Sequence, residues 1–141
     1  MLLHGLAALE YRGYDSAGIA IADKDGAVHC IKSRGRVSSL AEKAEGAPDG
    51  TFGIGHTRWA THGAPTEINA HPHRSKNLTL VHNGILDNCT EIRKMLADHG
   101  YTFESETDTE CIAHLIDLEY TRTGTPEGAI YSAMEQMRGS Y

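Results

Sequence analysis

Apolar positions along the chain follow a helical period first, then alternate, then return to a helical period. Leu2, Leu3, Leu6 and Leu9 fall at helical spacing and predict a helix over residues 1–10 with one apolar face and no capping residue ahead of it. The stretch SAGIAIADKDGAVHCIKSRG predicts two strands joined at Asp23, Lys24, Asp25 and Gly26, where an Asp-Gly pair tolerates positive φ. Residues 37–45 predict a short helix, EGAPDGT a loop, and TFGIGHTRW a further strand.

Residues 60–76 carry no period, and a loop of that length in a compact domain is often functional. NLTLVHNG predicts a strand ended by an Asn-Gly turn. Three helices follow. NCTEIRKMLADHG sets Ile92, Met95 and Leu96 on one side, with Gly100 as its stop; TDTECIAHLIDLEYTR carries Ile112, Leu115 and Ile116; and TPEGAIYSAMEQMRG starts with Thr125 as cap and Pro126 in its first turn. The last four residues, RGSY, show no closing element. Hairpins precede helices, so the expected class is α+β rather than a repeating βαβ sheet.

Composition narrows the partners. The chain has 141 residues, about one domain, with 13 Lys+Arg against 19 Asp+Glu and a formal net charge of -6. No run of five or six basic residues occurs, so nucleic acid and anionic membranes are not expected partners. Cys30, Cys89 and Cys111 are odd in number, far apart in sequence and without C-x-x-C spacing, which argues against a disulfide framework or a zinc ribbon. The first residues are too short a run to span a bilayer and lack the features of a secretory signal. A soluble, cytoplasmic protein is expected.

The densest chemistry lies in GHTRWATHGAPTEINAHPH, residues 55–73. His62, His71 and His73, with His56 and His82 nearby, have the density of a zinc or iron site. There is no H-E-x-x-H, and Glu67 is the only interleaved acid, so histidines that hydrogen-bond or pack within a loop are the competing reading, and no metal or other cofactor is expected. Hydrolysis of a carboxamide needs a nucleophile, a base and a preorganised pair of oxyanion donors. Asn83 offers a side-chain amide, and Gly84 a backbone N–H with no Cβ in the way; a plain Asn-Gly turn is the alternative for both. Arg58 is a fork suited to a carboxylate. Asp108 suits an ammonium, or an N-cap in T-D-T-E, roles that do not exclude one another. A fork and a carboxylate together describe a pocket for a free amino acid.

Four segments, LEYRGYDSAGIA, GIGHTRWATHGAPTEINAHPH, LVHNGILDN and GYTFESETDTECIAHL, in order and without gaps, resemble the glutaminase domain of the isomerising glutamine–fructose-6-phosphate aminotransferases. The wider class is the class II glutamine amidotransferases. The resemblance implies an α+β N-terminal-nucleophile hydrolase fold, an αββα four-layer sandwich, and L-glutamine as substrate. Released ammonia would convert fructose 6-phosphate to glucosamine 6-phosphate on separate isomerase domains, in a protein that is commonly a homodimer. It assigns the α-carboxylate to Arg58 and the α-ammonium to Asp108, with Thr61, His62 and His71 lining or closing the glutamine loop. The resemblance further implies that Asn83 and Gly84 form the oxyanion hole, that Trp59 gates an ammonia channel, and that Arg12 sits beside the nucleophile.

The family's nucleophile is a cysteine at the mature N-terminus whose α-amino group, with an unperturbed pKa of about 7.7–8.0, serves as base. The resemblance therefore leads to the expectation that residues 1–141 are a partial domain, truncated at both ends, without that cysteine's strand and without the later strands. Cys30 falls in a strand, Cys89 at a helix start and Cys111 inside a helix, and none has a free α-amino group. The chain alone is therefore expected to bind glutamine without turning it over. A glutamine-sensing module without catalysis is the first alternative reading, and a metalloprotein built on the histidines the second.

Overall fold

The computed structural model describes residues 1–60 and 63–141, which divide into two compact units, Met1–Pro72 and His73–Tyr141. In the first unit α1 (Leu2–Leu9) runs into a single 3₁₀ turn (Glu10–Arg12), followed by β1 (Ser16–Asp23), β2 (Val28–Arg34), α2 (Val37–Lys43) and β3 (Gly50–Arg58). These are the elements the apolar pattern predicts. The strands form an antiparallel sheet in the order β2-β1-β3, with Ile19 opposite Ile31 on one side and Gly55 on the other.

Central position explains the composition of β1, whose residues Ser16 to Ala20 are all buried. Ala17 and Ile19 project to one face and pack with Leu6 of α1 and Val37 and Leu40 of α2. Burying an aliphatic side chain as completely as Ile19 or Leu40 contributes about 1.5–3 kcal/mol. Gly18 projects to the opposite face, where a Cβ would collide with the His71 carbonyl oxygen. The Asp-Gly turn forms as expected: Asp23 Oδ1 accepts from the N–H groups of Asp25 and Ala27, both at 2.9 Å, and Gly26 takes φ +82°. Arg36, at the N-cap of α2, has no side-chain cap bond. Glu10 Oε1 instead accepts from Val37 N at 2.7 Å, satisfying one of the orphan donors of that helix from the 3₁₀ turn.

The second unit contains β4 (His73–Arg74), β5 (Thr79–Leu80), β6 (Ile85–Leu86), α3 (Cys89–Asp98), α4 (Asp108–Thr123), α5 (Pro126–Gln136) and β7 (Gly139–Ser140). Two expectations are corrected here. NLTLVHNG is not a long strand closed by an Asn-Gly turn: only Thr79 and Leu80 find a strand partner, in Arg74 and His73, and neither Asn83 nor Gly84 takes positive φ. RGSY does form an element, since Ile85 and Leu86 pair with Ser140 and Gly139. Asn88 Oδ1 and Asp87 N bracket Arg138 there, at 2.9 and 2.7 Å.

The three helices follow the sequence more closely. Thr107 caps α4 by accepting from Glu110 N at 3.3 Å, and Gly124 ends it in the left-handed region at φ +72°. Thr125 caps α5 by accepting from Gly128 N at 3.2 Å, with Pro126 in its first turn. Leu86, Ile92, Leu96, Cys111, Ile112, Leu115, Ala133 and Met137 form the core. Glu119 is 2% exposed and accepts from Arg122 Nη1 at 2.9 Å, Ser132 Oγ at 2.8 Å and Gln136 Nε2 at 2.9 Å. Burial pushes its pKa up, but these donors outweigh burial and hold the carboxyl below its ordinary value, so a buried charge ties α4 to α5. Among the described residues, no helix is long and apolar enough to cross a membrane.

Candidate active site

In the first unit the site residues gather at the end of β3. Arg58 is the last residue of that strand and 5% exposed. Its Nη1 donates to the Ala64 carbonyl at 3.2 Å and its Nη2 to the Gly63 carbonyl at 3.3 Å, so the guanidinium braces the loop that follows. Asn69, 1% exposed, completes the brace by donating from Nδ2 to the Ala64 carbonyl at 2.9 Å. Asp15 holds the other side. Its carboxylate accepts from Ala60 N and from Ser16 Oγ at 2.9 Å, and its Oδ1 stands 4.0 Å from Arg58 Nη1.

Trp59 is exposed and meets the Tyr14 ring edge-on, with centroids 5.6 Å apart and planes at 63°. Arg12 is exposed at the end of the 3₁₀ turn. His71 is buried and stacks on His56 at 4.2 Å, a packing role on the sheet face where Gly18 leaves room. Thr61 and His62 lie outside the described residues.

In the second unit Asp108 is the first residue of α4, and Thr107, not Asp108, is its N-cap. The reason is geometric: Thr107 has the extended backbone a cap requires, whereas Asp108 is already helical. Asp108 Oδ2 accepts from Leu86 N at 2.9 Å, leaving further acceptor sites on a carboxylate at the positive end of a helix dipole. His82 faces the same turn, with Nδ1 3.2 Å from Thr109 Oγ1. Burial pushes its pKa down against the opposing charge of Asp108. His73 Nε2 lies 3.0 Å from Thr107 Oγ1, inside the second unit.

Asn83 is exposed and Gly84 half-buried. A Cβ on Gly84 would collide with the Ser140 carbonyl oxygen and come within 2.6 Å of His82 Nε2. Close approach of backbone, not a positive φ, is what requires glycine there. Among the described residues, no three His, Cys, Asp or Glu side chains come together in a way that could hold a metal ion.

Sequence reasoning passed over Asp15, Asn69 and Thr107. Asp15 carries a local signal, an acid directly ahead of an apolar strand where such residues bond nearby N–H groups. Nothing in the sequence points to Asn69, whose partner is a carbonyl five residues away.

A model of the glutamine amidotransferase domain matches residues 56–141, and the chain belongs to that family. Over its full length it is 52% identical to the isomerizing glutamine–fructose-6-phosphate aminotransferase of Escherichia coli strain K12 and 49% identical to the protein of that name from Vibrio cholerae serotype O1. It spans 23% of the length of these relatives. Among solved structures it is similar to one described as the allosteric regulatory enzyme of purine biosynthesis, with TM-score 0.81 and 32% identity over 98% of this chain and 30% of that one. It is also similar to the glutamine phosphoribosylpyrophosphate amidotransferase of Bacillus subtilis, with TM-score 0.75 and 31% identity over 97% of this chain and 30% of that one. The mixed helices and sheets and the likeness to these structures bear out the α+β N-terminal-nucleophile hydrolase fold expected from the sequence motifs.

Proposed function

We propose that residues 1–141 are the glutamine-recognition part of a type 2 glutamine amidotransferase domain. In the intact protein its ammonia converts fructose 6-phosphate to glucosamine 6-phosphate in the cytoplasm, on isomerase domains of a homodimer. The observation that carries this reading is the 52% identity over the whole of the chain to a protein named for that reaction. That identity favours an enzyme over a glutamine sensor.

Each unit has its own share of the chemistry. In the first, Arg58 takes the α-carboxylate through two parallel charge-assisted bonds, Thr61, His62 and His71 line or close the glutamine loop, Trp59 gates the ammonia and Arg12 stands beside the nucleophile. In the second, Asp108 takes the α-ammonium. Asn83 Nδ2 and the Gly84 N–H stabilise the oxygen that gains charge when a thiolate adds to the carboxamide.

None of the three cysteines in residues 1–141 suits the role of a nucleophile that uses its own α-amine as base. Placement of the three cysteines supports this: Cys30 lies within β2, and Cys89 and Cys111 lie against each other between two helices. None of them joins a thiol to a free α-amine.

Calorimetric titration of the 141-residue chain with L-glutamine tests the proposal. Saturable binding that weakens in both Arg58→Lys and Asp108→Asn, without ammonia release above background, is the expected result. Undetectable binding by the parent chain, or affinity unchanged from the parent in both variants, would overturn it.

A further inference from the structure

Two of the three cysteines, 22 positions apart in sequence, meet in the core of the second unit. Cys89 Sγ, at the start of α3, lies 3.1 Å from Cys111 Sγ in the first turns of α4, and both are free thiols. Their exposures differ: Cys111 is fully buried, whereas Cys89 is half-buried.

The surroundings separate the two sulfurs further. Arg93 is fixed by donating to the Ser105 and Thr107 carbonyls at 3.1 and 3.2 Å and lies over the Phe103 ring at 4.1 Å. Hydrogen bonding to Cys111 lowers the Cys89 thiol to about 7; burial opposes this, the Arg93 charge adds to it and Asp108 opposes it. The Cys111 thiol is raised, by its bond to Cys89 and then by burial. The half-buried Cys89 is the thiol nearer solvent, and the fully buried Cys111 lies within covalent reach of it.

We infer that Cys89 and Cys111 form a peroxide-reactive dithiol in which Cys89 is oxidised first and Cys111 resolves it to an intramolecular disulfide. The Cys89 thiolate attacks one oxygen of hydrogen peroxide, the O–O bond breaks, and hydroxide leaves to take a proton from solvent. Cys89 is then a sulfenic acid. Cys111 attacks that sulfur, the S–O bond breaks, and the departing hydroxide takes the Cys111 proton as water. Two thiols lose two electrons and one peroxide becomes two waters. The pair owes nothing to glutamine chemistry, so its readouts are independent of the proposed function.

The test treats the folded 141-residue chain with hydrogen peroxide, blocks remaining thiols with an alkylating agent and maps peptides by mass. The expected result is loss of two of the three thiols, a single 89–111 link, and linkage at least about tenfold faster in the folded chain than in urea, since folding holds the sulfurs together. Cys30→Ser should link as the parent does. Cys89→Ser should not link, and Cys111→Ala should stop at a sulfenic acid on Cys89 that dimedone traps. Links through Cys30, equal rates in urea, or accumulation of Cys89 sulfinic acid with Cys111 untouched would overturn the inference; the parent chain and Cys30→Ser decide it even if Cys111→Ala fails to fold.

Discussion

Asp15 and Arg58 are joined twice across the β1–β3 pair: Asp15 N donates to the Arg58 carbonyl at 3.2 Å, and Asp15 Oδ1 stands 4.0 Å from Arg58 Nη1. The same carboxylate accepts from Ala60 N. Asp15 therefore sets where β3 stops and where its loop begins, and Arg58 is aimed by that stop.

Replacing Asp15 by Ala leaves the Ala60 N–H and the Arg58 charge without this partner. The expected cost is about 1–3 kcal/mol, read as a lower urea midpoint at unchanged slope. Asp15→Asn keeps one side-chain oxygen and should lose less. Equal stability of Asp15→Ala and the parent would show that the loop start is held by other contacts.

Arg58→Lys keeps the charge but loses the planar fork that reaches the carbonyls of Gly63 and Ala64 and, on the proposed reading, the glutamine carboxylate. Affinity for L-glutamine should fall about 10- to 100-fold, equivalent to about 1.5–3 kcal/mol, with the far-ultraviolet dichroism retained. Affinity within about twofold of the parent would remove Arg58 from that role.

Gly84 and Gly26 should respond to alanine for different reasons. At Gly84 the added Cβ meets the Ser140 carbonyl and His82, an overpacking cost of about 1–3 kcal/mol that reaches the β6–β7 pair. At Gly26 the space is open but φ is +82°, so the cost is backbone strain of about 1–2 kcal/mol. Replacing Gly26 by Asn, which tolerates that region, should recover much of the loss; no such rescue is expected at Gly84. Rescue by Asn at Gly84, or none at Gly26, would reverse this assignment.

Glu110 makes acid stability testable. Burial pushes its carboxyl up, but the His114 ring 3.8 Å away and bonds from Glu104 N at 2.9 Å and from Ser105 N and Oγ at 2.8 and 2.6 Å outweigh burial and hold it at about 2, from an ordinary 4.5. A depressed folded-state pKa stabilises the fold above the unfolded value, and that stability is lost as pH falls from about 4.5 towards about 2. The contribution is on the order of 3 kcal/mol. Glu110→Gln should be less stable at pH 7 and show a shallower fall between pH 5 and 3, in urea titrations at each pH. Parallel curves for variant and parent would exclude this role.

The sequence by itself determined the secondary structure wherever period and cap lie within one window. The helix at residues 1–10, the Asp23–Gly26 hairpin and the Thr125 start of α5 are all local events, driven by one amphipathic face, one turn or one hydroxyl. Its motifs also determined the family and nominated Arg58 and Asp108. Tertiary structure decided what depends on distant partners. Ile85 becomes a strand only because Ser140 arrives beside it, Gly84 is required only because that carbonyl crowds it, and Thr107 takes the cap that Asp108 was suited to by composition. The Cys89 and Cys111 sulfurs meet only because α3 and α4 pack into one core. Backbone pairing and close approach have no period along the chain, so they become legible only once the chain has folded back on itself.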